Sequence, residues 1–187
     1  MKKLIFLFVL FLVPVQAFSQ EYQEKYRSEY FKFNLSGTQQ GEKQEKEYRG
    51  KYFRFTLLGG WEISPQEAED LVVFTNTPPS GFQATLIALV SDTEKDLGDL
   101  TEELKNQIRS RYPDTKFFLE RWVSQAGAEW QELIYAYTDG DYTLQFIQLL
   151  TVVKDKAYSF TGVTQQQDFK GYLGDFRKMF QSWRLRG

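Results

Sequence analysis

Neither cysteine nor histidine occurs anywhere in the 187 residues. Their absence removes the Ser-His-Asp and Cys-His nucleophiles, the common His/Cys zinc sites and haem sites with His or Cys ligands. No disulfide can staple the fold, so its stability rests on a hydrophobic core. With no thiol to carry a lipid, a bacterial lipoprotein is also excluded. Basic tracts are missing too, and once Lys2 and Lys3 are discounted with an expected leader the net charge is about −4. That balance argues against a nucleic-acid partner. What stays open is carboxylate, lysine or tyrosine chemistry and an oxygen-ligand calcium or magnesium site; nothing in the sequence calls for a cofactor.

Long apolar runs are scarce as well. The clearest, Leu4 to Val13, is about half of the roughly 20 residues needed to span a bilayer. Lys2 and Lys3 precede it, Pro14 breaks it and Ala17-Phe18-Ser19 follows, which is the pattern of a cleaved export signal over residues 1–19. The expected destination is a periplasm or the exterior, and nothing in the sequence supports a peripheral membrane contact. Residues 20–50 read as a polar extension and 51–187 as one domain, for which an aromatic content of 17% supplies ample buried surface.

Within that extension lies the first copy of a repeated motif. YRSEYFKFNL at Tyr26 to Leu35 and YRGKYFRFTL at Tyr48 to Leu57 share six of ten positions. Both alternate, with Phe31, Phe33 and Leu35, then Phe53, Phe55 and Leu57, on one side of a half-buried strand. The polar linker from Ser36 to Glu47 separates them. Only the strand is duplicated, so the second copy is expected to be the first strand of the domain and the first copy a spare strand for an edge or a partner.

Beyond Leu58, strands are expected over Leu71 to Thr75 and Phe82 to Val90. Leu97, Leu100, Leu104 and Ile108 recur at helical spacing; Asp99 and Glu102 are the expected capping pair, and Pro113 forces an end near Arg111. A meander follows, with strands Lys116 to Ser124, Glu129 to Thr138, Tyr142 to Val153 and Ala157 to Val163 joined by short turns. The turn at Asp139-Gly140 is the strongest hairpin signal. The last element is a helix from about Gln165 to Trp183, with Thr164 and Gln167 as its expected capping pair and Phe169, Phe176, Met179 and Phe180 on its apolar stripe.

Four features carry candidate chemistry. Asp92, Glu94, Asp96 and Glu103 match part of a calcium-loop spacing, but Leu97 replaces the sharp-turn Gly and a strand precedes the loop, so helix capping explains these acids more simply. Asp139 and Asp141 flank a hairpin glycine, where turn chemistry accounts for both. Gly171 and Gly174 point away from the apolar stripe at a helical cost; either a partner backbone approaches there or the helix is frayed or starts late. Trp61, Trp122, Trp130 and Trp183 are expected in the core. Tyr135, Tyr137 and Leu133 share one strand face opposite Trp130, and that face becomes an apolar groove only if no helix covers it.

The run YFRFTLLGGW, EDLVVFTN, FQATLIALV, the helix to Ile108, the paired strands at Asp139-Gly140-Asp141-Tyr142 and the closing FRKMFQSWRL resembles the PsbP-like fold, shared with Mog-type and DcrB-like proteins. The resemblance covers Lys51 to Leu185 and rests on element order and an aromatic strand leading into Gly-Trp. It implies an α+β domain with a mainly antiparallel sheet of six to seven strands sandwiched by helices, used for binding or assembly rather than catalysis. No site residue carries over. The expected function is therefore a non-catalytic exported module acting through an envelope or secreted protein, with Tyr30, Phe31, Phe33, Leu35, Gly171 and Gly174 as the candidate contact residues. The alternative is a periplasmic carrier of an apolar small molecule or lipid.

Overall fold

Apolar strand segments closed by turn residues dominate the chain from Phe53 onward, and the fold that results is mostly antiparallel sheet. A computed structural model describes residues 45–64, 70–76 and 82–186. The expected leader and the first motif copy lie outside these residues. In chain order the strands and helices are β1 Lys46–Arg49, β2 Phe53–Leu57, β3 Glu62–Ile63, β4 Leu71–Asn76, β5 Ala84–Asp92, α1 Leu97–Arg111, β6 Lys116–Gln125, β7 Ala128–Asp139, β8 Tyr142–Val153, β9 Lys156–Gln165, α2 Gln166–Gln181 and β10 Arg184–Leu185.

Seven strands form the main sheet in the order β3-β4-β5-β9-β8-β7-β6, with every pairing antiparallel. The second motif copy does not join it. Instead β2 sits between β1 and β10 in a separate three-stranded sheet. β1 joins the last two residues of the polar linker, Lys46 and Glu47, to the first two of the second motif copy, and in KEYR only Tyr48 packs against the core cluster. The small sheet and α2 together cover one face of the main sheet. There Phe53 meets Phe160 at 5.3 Å, Phe55 meets Phe74 at 5.0 Å, and Trp130 meets Trp183 at 4.7 Å. α1 lies against β7 and β8 on the opposite face through Leu100, Leu104 and Ile108.

Three tight turns set the meander. Ala126 and Gly127, and again Lys154 and Asp155, all take positive φ, the pattern of a two-residue turn whose twist matches the strands. Between β7 and β8, Asp139 pairs with Tyr142, so the turn residues are Gly140 and Asp141, and Gly140 alone takes positive φ (58°). The expected turn at Asp139-Gly140 is thus shifted by one residue, and Asp139 ends a strand.

Both expected helix caps differ from what forms. At α1 the cap is Asp96, whose carboxylate accepts from Asp99 N (2.8 Å), while Glu102 turns to Lys105. At α2 the chain runs from β9 straight into the helix; Gln165 holds the cap position without a side-chain hydrogen bond, and Thr164 Oγ1 is buried with no partner among the described residues. Register explains this: Thr164 belongs to β9, opposite Gln145, so its side chain is committed to the sheet.

Candidate functional site

The second motif copy is a hairpin and not one strand. Tyr48 and Arg49 end β1, Gly50 N donates to Phe53 O (3.0 Å) across the turn, and Phe53 starts β2. Tyr48, Phe53, Phe55 and Leu57 face the core, with the ring of Tyr48 5.1 Å from that of Phe74. In the first copy the residue at each of these four positions is the same, namely Tyr26, Phe31, Phe33 and Leu35. The exchanged positions are Gly50, Lys51, Arg54 and Thr56, with Arg54 exposed and Thr56 half-buried. A Cβ at Gly50 would stand 2.8–3.1 Å from atoms of the Tyr48 ring, and the first copy has Ser28 there. The two sequences therefore match where the core reads them and differ at the turn and rim.

Gly171 and Gly174 lie well inside α2, which starts at Gln166, so a late-starting helix does not explain them. A Cβ at either would meet nothing within 4 Å. Both stand on the exposed outer face.

The acids of the calcium-like spacing are drawn apart. Asp92 bonds the Lys156 ammonium (2.7 Å), and that bond holds its carboxyl below the usual carboxylate range and Lys156 above the usual lysine value. Asp96 caps α1, and Glu103 pairs with Lys95. Among the described residues, no three acid side chains gather to hold a metal ion.

Tyr135 and Tyr137 are core residues under α1. Tyr112, just past the helix, stacks on Tyr137 at 3.7 Å, and Tyr135 Oη donates to Gln148 Oε1 (3.0 Å), whose Nε2 donates to Ser159 Oγ (3.1 Å). Burial pushes both phenols well above the ordinary tyrosine value. The groove expected on an uncovered face is therefore filled. A depression along the outer side of α1, between Lys95, Asp99, Glu103 and Asn106, is open to solvent and lined by charged and amide groups.

Two features escape a reading of the sequence. Trp122, expected in the core, is 59% exposed on the edge strand β6, near the equally exposed Phe118 at a bulge between Phe117 and Leu119. Glu132, only 3% exposed, receives Arg121 Nε (2.5 Å) from β6 and Arg177 Nη2 (2.8 Å) from α2. Charged residues that tie a sheet edge to a helix have no local sequence signal; only register brings them together.

No protein family matches the sequence, and no curated protein does. Solved structures do match. The cyanobacterial PsbP (CyanoP) of Synechocystis is 16% identical with a TM-score of 0.59, covering 83% of this chain and 99% of its own. LpqN of Mycobacterium tuberculosis, involved in cell envelope biogenesis, is 11% identical with a TM-score of 0.62, covering 77% and 91%. PA94 of Pseudomonas aeruginosa, described as a putative regulator, is 14% identical with a TM-score of 0.55, covering 74% and 95%. Element order, the seven-stranded antiparallel sheet with helices on both faces and these three likenesses agree: the chain has the PsbP-like fold.

Proposed function

We propose that the protein is an exported, non-catalytic binding or assembly module that acts through a protein partner of the envelope or the exterior. The observation that carries this reading is the ratio of motifs to places. β2 fills its place between β1 and β10, and the chain holds a second segment with the same residue at every core-facing position. Tyr30, Phe31, Phe33 and Leu35 are then a strand offered to another protein, with main-chain hydrogen bonds supplying affinity and the alternating rings specificity. Gly171 and Gly174, bare on the outer side of α2, would let a partner backbone approach closely.

The fold of the neighbours and the composition both support the non-catalytic part. The residues of the common hydrolase templates are missing, and the neighbours' names describe a PsbP, an envelope-biogenesis protein and a putative regulator, none of them an enzyme. No helix among the described residues is long and apolar enough to cross a membrane.

The test is deletion of Gln20 to Gln44, which stops short of β1. The shortened protein keeps the melting temperature of the mature chain and loses the proteins that the mature chain captures from its native envelope. Loss of folding on deletion, or capture that survives both the deletion and Phe31→Asp/Phe33→Asp, would refute the reading.

A further inference from the structure

The outer side of the three-stranded sheet carries a charge pattern that folding alone does not favour. Arg49 lies directly opposite Arg54, and Arg54 directly opposite Arg184, so three arginines stand in one row across three adjacent strands. With strands about 4.8 Å apart the row is roughly 10 Å long. Like charges directly opposite one another destabilise a sheet. One step along, Arg186 N donates to Tyr52 O (3.0 Å), and the ammonium groups of Lys51 and Lys156 each stand 5.1 Å from the centre of the Tyr52 ring.

Among the described residues, two carboxylates reach Arg49, Arg54 and Lys156. Glu47 bonds Arg49 (2.5 Å) and Arg54 (3.4 Å), and Asp92 bonds Lys156 (2.7 Å). Arg184 donates to the carbonyls of Gln181 and Trp183, and Arg186 to that of Gly50, and no carboxylate among the described residues pairs with either charge. A chain with a formal net charge of −2 thus concentrates positive charge on one sheet face. Arg49 and Arg54 present 67% and 49% of their side chains to solvent.

We propose that this face docks on an anionic lipid bilayer, through the phosphates of its headgroups. The centre of a protein interface admits arginine and tyrosine but is depleted of lysine, two of which flank Tyr52 in this group. Here the cations occupy the middle, around one amphipathic ring, which is the composition of a surface that meets headgroups. Arginine's planar fork also suits paired phosphate oxygens. The proposal uses residues other than the first motif copy and stands apart from the protein-partner reading.

Co-sedimentation of the mature chain with vesicles tests it. Binding is expected to vesicles of mixed phosphatidylcholine and phosphatidylglycerol, not to phosphatidylcholine alone, and it weakens as salt rises. Arg54→Gln and Arg184→Gln each lower the affinity about fivefold, from roughly 1 kcal/mol per charge near such a surface. Lys116→Gln, on the far edge strand β6, leaves it unchanged. Because the arginine row opposes folding, Arg54→Gln holds or raises the melting temperature, which separates lost binding from lost structure. Absence of binding to the mixed vesicles, equal binding to neutral ones, or binding that ignores both arginine variants would each overturn the proposal. So would arginine-dependent binding to polyglutamate with none to vesicles, which would assign the face to an acidic protein.

Discussion

Under α2 the main sheet is covered by rings, and under α1 stacked rings share the face with a buried chain of hydrogen bonds. On the first face Phe74, Phe160, Phe176, Phe180, Trp130 and Trp183 interlock, each 3% exposed or less. On the second, Tyr135, Gln148 and Ser159 form a buried polar chain across β7, β8 and β9, and Lys105 lies at its rim held by Glu102 (2.7 Å) and Glu120 (2.8 Å). A ring-packed face gains free energy from area and dispersion and tolerates no change of volume. A hydrogen-bonded face specifies register, because each partner is satisfied in one arrangement only. The two helices therefore hold the same sheet by different means, and substitutions on the two faces should fail differently.

The largest expected loss is on the ring-packed face. Trp183, 1% exposed, touches Trp130, Tyr158 and Phe160. Trp183→Ala should cost about 3–5 kcal/mol in urea unfolding, since the cavity cannot be closed by rigid rings. A loss under about 1 kcal/mol would mean that this face is less tightly packed than the ring contacts imply. Gly162→Ala tests the same face from the sheet side. Its Cβ would come 2.6–2.8 Å from three atoms of the fully buried Phe176 ring, so the expected cost is about 1–3 kcal/mol. Adding Phe176→Leu should recover part of that cost, which a defect of strand propensity alone would not allow.

How far these differences could be read from the sequence depends on the range over which each signal acts. Continuous apolar runs, for β4 and β5, and paired turn residues, for β6 to β9, are local signals, and they mark these strands close to their true bounds. The apolar spacing of Leu97 to Ile108 and of Phe169 to Phe180 marks both helices for the same reason. β1 is hidden because a four-residue edge strand half-buries a single side chain, and β10 because two residues carry no period. Trp122 reads as core by its type, yet it stands on the edge strand β6, where it is 59% exposed. The arginine row and the Arg121–Glu132–Arg177 cluster are invisible for a deeper reason. They join residues up to about 130 positions apart, and only strand register, itself a product of the whole fold, places them together.

The hydrogen-bonded face should show itself through pH. Burial raises the pKa of Tyr135 and Tyr137 in the folded protein above their unfolded values. The folded state then holds protons that the unfolded state releases, so stability is full below about pH 10 and falls as pH rises beyond it. Lys105 acts in the same direction. Burial alone would lower its pKa, but its two carboxylate partners outweigh that and raise it, so its contribution is present below the ordinary lysine value and is lost above it. Tyr135→Phe/Tyr137→Phe should cost about 1 kcal/mol at neutral pH for the lost bond to Gln148. The same variant should flatten the alkaline limb of a stability-against-pH curve. An unchanged alkaline limb would assign the loss to other groups, Tyr158 and Tyr172 among them, whose phenols burial also raises.

The smallest effects come from α2 alone and have the opposite sign. Its inner side holds Phe169, Phe176, Met179 and Phe180, while its outer side carries Gly171 and Gly174 with empty space around each. In an exposed helix interior each glycine costs about 0.8 kcal/mol relative to alanine through backbone entropy, so Gly171→Ala and Gly174→Ala should each raise stability by about that amount in thermal unfolding. Neither packing nor capping needs these glycines, and a helix this densely packed inside gains nothing from a loose outer side. What would retain them is close approach by another backbone, as in the partner reading above. The decisive comparison sets the stability of the double variant against its capture of envelope proteins. Stability gained with capture lost makes the outer side of α2 a contact surface. Stability gained with capture unchanged removes Gly171 and Gly174 from the interface and leaves the first motif copy as the element to test.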